Sequence, residues 1–121
     1  MKIIILQAPP DVVREIKEEK ITINFHNHCL TPTNFTRFGL GNFWSPLSWN
    51  KDRFELEYLS SIEAINYPFV GVQFHPEKNV YEWSEKEPRI PHSRHAVHVS
   101  LYFSTHFVNM ARRSQHKFVD R

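Results

Sequence analysis

Apolar and polar positions alternate along this chain with periods that predict a short list of elements. Pro9-Pro10 followed by Asp11 opens a helix that ends near Lys20, with Val12, Val13 and Ile16 on one side and Glu15, Lys17, Glu18 and Glu19 exposed. Ile21 to Phe25 alternates as a strand, whereas Thr31 to Asn50, containing Pro32, Gly39, Gly41 and Pro46, reads as a long irregular loop of the kind that walls a pocket. A second alternating segment, Phe54 to Ile62, places Phe54, Leu56, Tyr58 and Ser60 on one side of a strand. A turn at Tyr67-Pro68 leads into Phe69 to Phe74, an apolar run that predicts a core strand. The last element is a helix from about Ser93 to Gln115 with a broad apolar face of Val97, Leu101, Phe107, Val108 and Ala111. Strands and helices in this order predict an α/β fold. The short run Met1 to Leu6 stops at Gln7 before Pro9-Pro10; it is too short for a signal-peptide core and is a candidate extra strand.

Composition narrows the function classes. With 121 residues, 40% hydrophobic and 23% charged, the chain has apolar material for one core and is unlike a disordered or membrane-spanning sequence. A net charge of +2, with basic residues clustered only at Arg112-Arg113 and the C-terminus, argues against a nucleic-acid partner. The single cysteine excludes an internal disulfide framework. No repeat, phosphate-binding glycine loop or linker divides the chain, so residues 1–121 are expected to form a single unit.

The chemistry concentrates where the predicted core strand ends, at His75-Pro76-Glu77. Side chains leaving the end of a buried strand project into a crevice, and Pro76 biases His75 toward an extended backbone, so imidazole and carboxylate lean to the same side. A carboxylate there fixes the imidazole tautomer, which is the arrangement of a general base and its orienting acid. Nearby, Lys78, Arg89 and Arg94 are candidates for meeting ligand carboxylates, and Tyr81 and Trp83 for stacking on a ring.

The run from Tyr67 through Phe74 into His75-Pro76-Glu77-Lys78, followed by Tyr81-Glu82-Trp83, closely resembles the C-terminal catalytic segment of the gamma-glutamyl hydrolase family. Upstream, Asn24-Phe25-His26 and Asn34-Phe35-Thr36 are similar to the family's corresponding stretch; downstream, Ser93 through His116 resembles its helix, including Phe107-Val108-Asn109 and Ala111-Arg112. The similarity runs from about Pro9 to His116. It implies the C-terminal portion of a flavodoxin-like, class I glutamine amidotransferase-like three-layer domain with a mixed sheet. It also implies cofactor-free hydrolysis of the gamma-glutamyl bonds of folylpoly-gamma-glutamates by a cysteine nucleophile. By the same resemblance His75 is the base, Glu77 its orienter, and His26 belongs to the substrate pocket, where Lys78, Tyr81 and Trp83 are further candidates on their chemistry. A lysosomal, vacuolar or extracellular location is implied, where the sequon Asn34-Phe35-Thr36 would be a glycosylation acceptor.

The departure from the family concerns the nucleophile. The family carries it in a Gly-x-Cys-x-Gly turn N-terminal to the region represented here, whereas Cys29 sits in His28-Cys29-Leu30-Thr31-Pro32 without flanking glycines. A lone cysteine of this kind is expected to be a small apolar residue rather than a nucleophile. Losing the nucleophile of such a triad costs on the order of a millionfold in rate, about 8 kcal/mol of barrier, so the chain alone is expected to be inactive. An uncovered sheet edge further implies self-association or pairing with a full-length relative.

Two other readings compete. One is a non-catalytic homologue that binds polyglutamate or regulates a relative. The other is a metal module, because His92, His95 and His98 recur every three residues and His26-Asn27-His28-Cys29 adds further ligand types. Neither group has the paired spacing of a structural zinc site, so no metal is expected there.

Overall fold

Residues 7–119 are described by the computed structural model, so the strand considered for Met1 to Leu6 lies outside the described residues. Helix α1 (Pro10–Glu18) begins with proline in its first turn, where no intrahelical amide is needed. Helix α2 (Pro32–Arg37) is capped by Thr31, whose side chain accepts the amide of Asn34. Gly39, at φ +64°, then turns the chain into a 3-10 turn at Leu40–Asn42. Strands β1 (Trp44–Lys51), β2 (Glu57–Ala64) and β3 (Val70–Val72) follow, then the short α3 (Lys78–Tyr81) and the long α4 (Arg94–Ala111). The result is a small α/β domain.

Strand order is β1-β2-β3, and both pairings are antiparallel, so the described sheet is not mixed. Several other expectations change. The stretch from Thr31 to Asn50 is not a loop: it holds α2, the 3-10 turn and β1. Pro46 is accommodated because β1 is an edge strand with register irregularities between Pro46 and Trp49. Phe54 and Leu56 belong to the hairpin turn, not to a strand. There Asp52 Oδ1 accepts the amides of Phe54 and Leu56, and Glu55 adopts a positive φ of 63°.

Ile21 to Phe25 is extended but joins no strand ladder; its tethers are single bonds, such as the His75 amide donating to the Ile23 carbonyl at 3.0 Å. Strand β3 is shorter than the run Phe69 to Phe74, although the Phe69 carbonyl and the Gln73 amide still bond β2 residues on either side of it. Gly71 allows this close pairing: a Cβ there would lie 3.1 Å from Ile62 Cγ2.

The core lies between the sheet and the two long helices. Val12, Ile21, Phe74, Ala96, Val99 and Phe103 are buried together, with Ile16, Leu47, Val70 and Val72 against them. Burying each large apolar side chain contributes roughly 1.5–3 kcal/mol. On α4 the buried stripe is Ala96, Val99, Ser100 and Phe103, spaced i, i+3, i+4, i+7. The face built on Leu101, Phe107 and Val108 is exposed instead. Helix α4 is apolar on more than one side, so its sequence alone does not say which stripe docks. It is also shorter than expected, ending at Ala111. Helix α1 brings a second reversal: Glu15 is buried, not exposed. No described helix is long and apolar enough to cross a membrane.

One side chain joins the pieces. Asn79, 1% exposed, donates through Nδ2 to the Ile21 carbonyl at 3.1 Å and the Pro91 carbonyl at 2.7 Å, and its Oδ1 accepts from Ser100 at 3.2 Å. Its own carbonyl accepts the Nδ1 hydrogen of His92 at 2.9 Å.

Between β3, α3 and α4 runs an open apolar groove of about 470 Å³, walled by Phe69, Val72, Tyr81, Phe103, Phe107 and Met110. His106 also lines it, with Nε2 buried and unpartnered among the described residues. Burial, and then the positive charge of Arg113, hold this imidazole below its ordinary value.

Two predictions follow from these features. Asn79→Ala strands two carbonyls and a hydroxyl in the interior and is expected to lower unfolding stability by about 3 kcal/mol in urea titrations; a change below about 1 kcal/mol contradicts the tie. For His106, a depressed folded value means that the unfolded chain takes up its proton first. Its contribution is therefore intact above the ordinary 6.5 and lost as pH falls from there through the depressed folded value. Thermal midpoints measured at pH 7.5 and 5.5 should fall less in His106→Gln than in the parent chain, and equal falls would rule the effect out.

Candidate active site

The end of β3 delivers His75 to the surface beside the extended segment of Phe25 and His26. Backbone bonds set its place: the His75 amide is held by Ile23, and the His75 carbonyl accepts the Lys78 amide at 3.3 Å as the chain turns into α3. After Pro76, Glu77 lies at the start of α3 and returns its carboxylate to the ring, with Glu77 Oε1 2.9 Å from His75 Nδ1. An ionised carboxylate only accepts, so Nδ1 carries the hydrogen, and in the neutral ring Nε2 is then the nitrogen that accepts a proton. The pair is open to solvent, with side chains 29% and 61% exposed. Its contribution to stability is therefore small, whereas its effect on ring tautomer is direct.

The ring of His26 stacks on that of His75 at a centroid distance of 4.7 Å and an interplanar angle of 14°. Phe25 tilts against His75 at 6.4 Å and carries two cations over its own face, Lys78 Nζ at 5.1 Å and the Arg89 guanidinium at 5.7 Å. Lys78 is also paired with Glu82, and Arg89 with Glu87 at 3.7 Å. His75, Glu77, His26 and Lys78 are thus brought together, with Arg89 adjoining through Phe25. Sequence reading passed over Phe25, although an aromatic residue next to His26 was its one available signal. Asn79 carried no signal at all, since nothing in the run Lys78-Asn79-Val80 marks an interior position.

The other candidates separate. Tyr81 is exposed and lines the apolar groove together with Pro76 and Glu77. Trp83 stacks on His92 at 3.8 Å and donates Nε1–H to the Val80 carbonyl at 2.9 Å, so its ring already has a partner. Arg94 is the exposed first residue of α4. Cys29 is exposed and hydrogen-bonds to no histidine among the described residues. Asn34 lies in the first turn of α2, half-buried, next to buried Phe35. The histidines weighed as one metal group divide: His92 goes to Trp83 and Asn79, whereas His95 and His98 face α1.

A strand-end imidazole with its tautomer set by a carboxylate, beside a cation-bearing aromatic shelf and an apolar groove, is able to relay a proton next to an anionic ligand. No family model matches the chain. Gamma-glutamyl hydrolase B of Dictyostelium discoideum is 35% identical over 118 residues, 97% of this chain and 34% of that protein. Gamma-glutamyl hydrolase of Homo sapiens is 38% identical over 111 residues, 91% of this chain and 34% of the human protein. Gamma-glutamyl hydrolase 1 of Arabidopsis thaliana is 33% identical over 107 residues, 88% of this chain and 30% of the plant protein. The chain is therefore a relative of the gamma-glutamyl hydrolases, similar to them over nearly all its length and spanning about a third of theirs.

Proposed function

We propose that this chain carries the acid–base part of a gamma-glutamyl hydrolase site, in the C-terminal portion of a flavodoxin-like domain of the glutamine amidotransferase class. The observation that carries the reading is the 2.9 Å contact between His75 Nδ1 and Glu77 Oε1 at the strand end. In this reading Nε2 of His75 takes the proton from an attacking thiol and returns it to the leaving amine, while Glu77 stabilises the imidazolium. The substrate is a folate polyglutamate or a related gamma-glutamyl chain, whose free carboxylates meet Lys78 and Arg89. Lys78 is paired with Glu82 one helical turn on in a partly buried contact, and in this reading it exchanges that carboxylate for one on the ligand. His26 holds the plane of the His75 ring. The thiol is not Cys29, which lies exposed without a histidine partner among the described residues.

Two arms test this. The purified 121-residue chain is expected to show no turnover of a folate polyglutamate, with or without Cys29→Ser. A chimera in which this chain replaces the matching third of the human hydrolase is expected to turn over. His75→Ala should then lower kcat by at least about a thousandfold, and Glu77→Gln by roughly ten- to a thousandfold. A folded chimera that binds polyglutamate without cleaving it would favour a non-catalytic binding homologue instead. Turnover by the chain alone that disappears with Cys29→Ser would overturn the assignment of Cys29.

A further inference from the structure

Helices α1 and α4 meet along a seam of carboxylates and imidazoles away from the His75–Glu77 pair. On α1, Asp11 and Glu15 lie four residues apart on one face, and Glu19 follows just past the helix end. On α4, His95 and His98 stand opposite them. His98 Nδ1 is 2.9 Å from Glu15 Oε2, and its Nε2 is 4.0 Å from Asp11 Oδ2. His95 Nδ1 is 2.7 Å from Glu19 Oε1, and its Nε2 is 3.6 Å from the second oxygen of Glu15.

Glu15 is the anomaly. Its side chain is only 6% exposed, yet among the described residues its charge-bearing partners are imidazoles alone, with no lysine or arginine paired to it. A buried carboxylate is costly unless it is paired and hydrogen-bonded or ligates a cation. Independently, one donor atom each from Asp11, Glu15 and His98 lies within 4.8 Å of the others.

We propose that this seam is a site for a divalent cation of the zinc class, held by Asp11, Glu15 and His98, which clamps α1 onto α4. Donors bound to one zinc ion at about 2.0–2.2 Å stand roughly 3.3–3.5 Å apart, so modest rotation of the half-exposed Asp11 and His98 closes the set. One imidazole and two carboxylates suit zinc, whereas magnesium and calcium take all-oxygen sets. Three protein ligands leave a fourth position for water. His95 lies outside the ion beside the second oxygen of Glu15 and is itself held by Glu19. A bound cation compensates the buried charge of Glu15 directly. Because the ligands come from two helices that pack only in the folded chain, binding is coupled to stability.

The test uses the full 121-residue chain, stripped with chelator and titrated with zinc chloride, followed by calorimetry and by the thermal midpoint. One equivalent is expected to bind and raise the midpoint; magnesium chloride should do neither. Asp11→Asn and His98→Gln alter half-exposed side chains, and each should weaken zinc binding at least tenfold while the zinc-free midpoint stays measurable. Cys29→Ser should leave the response intact. The proposal fails if zinc neither binds nor shifts the midpoint of the parent chain. It also fails if both seam variants respond as the parent does, or if Cys29→Ser abolishes the response. None of these readouts depends on hydrolase activity, so the site and the proposed function stand or fall separately.

Discussion

The side-chain amide of Asn79 spans three segments that no strand ladder joins: the stretch at Ile21, the loop at Pro91 and helix α4 at Ser100. An amide has two donor hydrogens and an acceptor oxygen, so one buried residue satisfies two carbonyls and a hydroxyl that would otherwise be stranded in the interior. Its place in the chain makes this more than a local tie. Asn79 lies four residues beyond His75, and Ile21 leads directly to Phe25 and His26. The aromatic shelf and the strand-end dyad therefore meet because both are anchored to the same amide. The main chain adds a second link, from the His75 amide to the Ile23 carbonyl.

Around that anchor the surface has two characters. On one side, Phe25 carries Lys78 and Arg89 over its face, a setting suited to anions. On the other, Glu77 and Tyr81 border an apolar groove whose far wall is Phe103, Phe107 and Met110. Glu77 belongs to both, since its carboxylate orients His75 while its backbone starts α3. A sheet edge at β3 and an apolar groove are features that proteins usually cover. Curated relatives about three times as long share the segment that forms them.

The seam between α1 and α4 has a different chemistry from the core beside it. Val12 and Ile16 are drawn toward Ala96, Val99 and Phe103 by apolar burial, which is non-directional. Glu15 lies between these apolar positions on the same helix and is carried inward with them, so His98 of α4 becomes its hydrogen-bond partner, with His95 at 3.6 Å. Registry between the two helices is thereby specified by polar contacts that tolerate little sliding, rather than by apolar contacts alone.

Much of the local structure was legible without coordinates. Pro9-Pro10 before α1, the alternation around Tyr58 and the long apolar segment after Ser93 identified elements that exist, because caps, turns and periodicity act over a few residues. The pair His75 and Glu77 was legible for the same reason: two residues across a proline at a strand end can hardly avoid each other. Pattern failed where distant neighbours decide. Pro46 marked a loop in sequence but sits in an edge strand with an irregular register, where proline is tolerated, and only the sheet order shows that β1 lies at the edge. Several faces of α4 are apolar, and Ala96, Val99 and Phe103 were buried rather than Leu101 and Phe107 because α1 and Phe74 lie on that side. Glu15 read as solvent-exposed because its histidine partners are about eighty positions away. Local chemistry along the chain thus determined the elements and the catalytic candidates. Tertiary packing alone decided which faces are dry, which charges are buried, and which residues from remote segments share a site, because burial and pairing depend on neighbours that sequence distance does not encode.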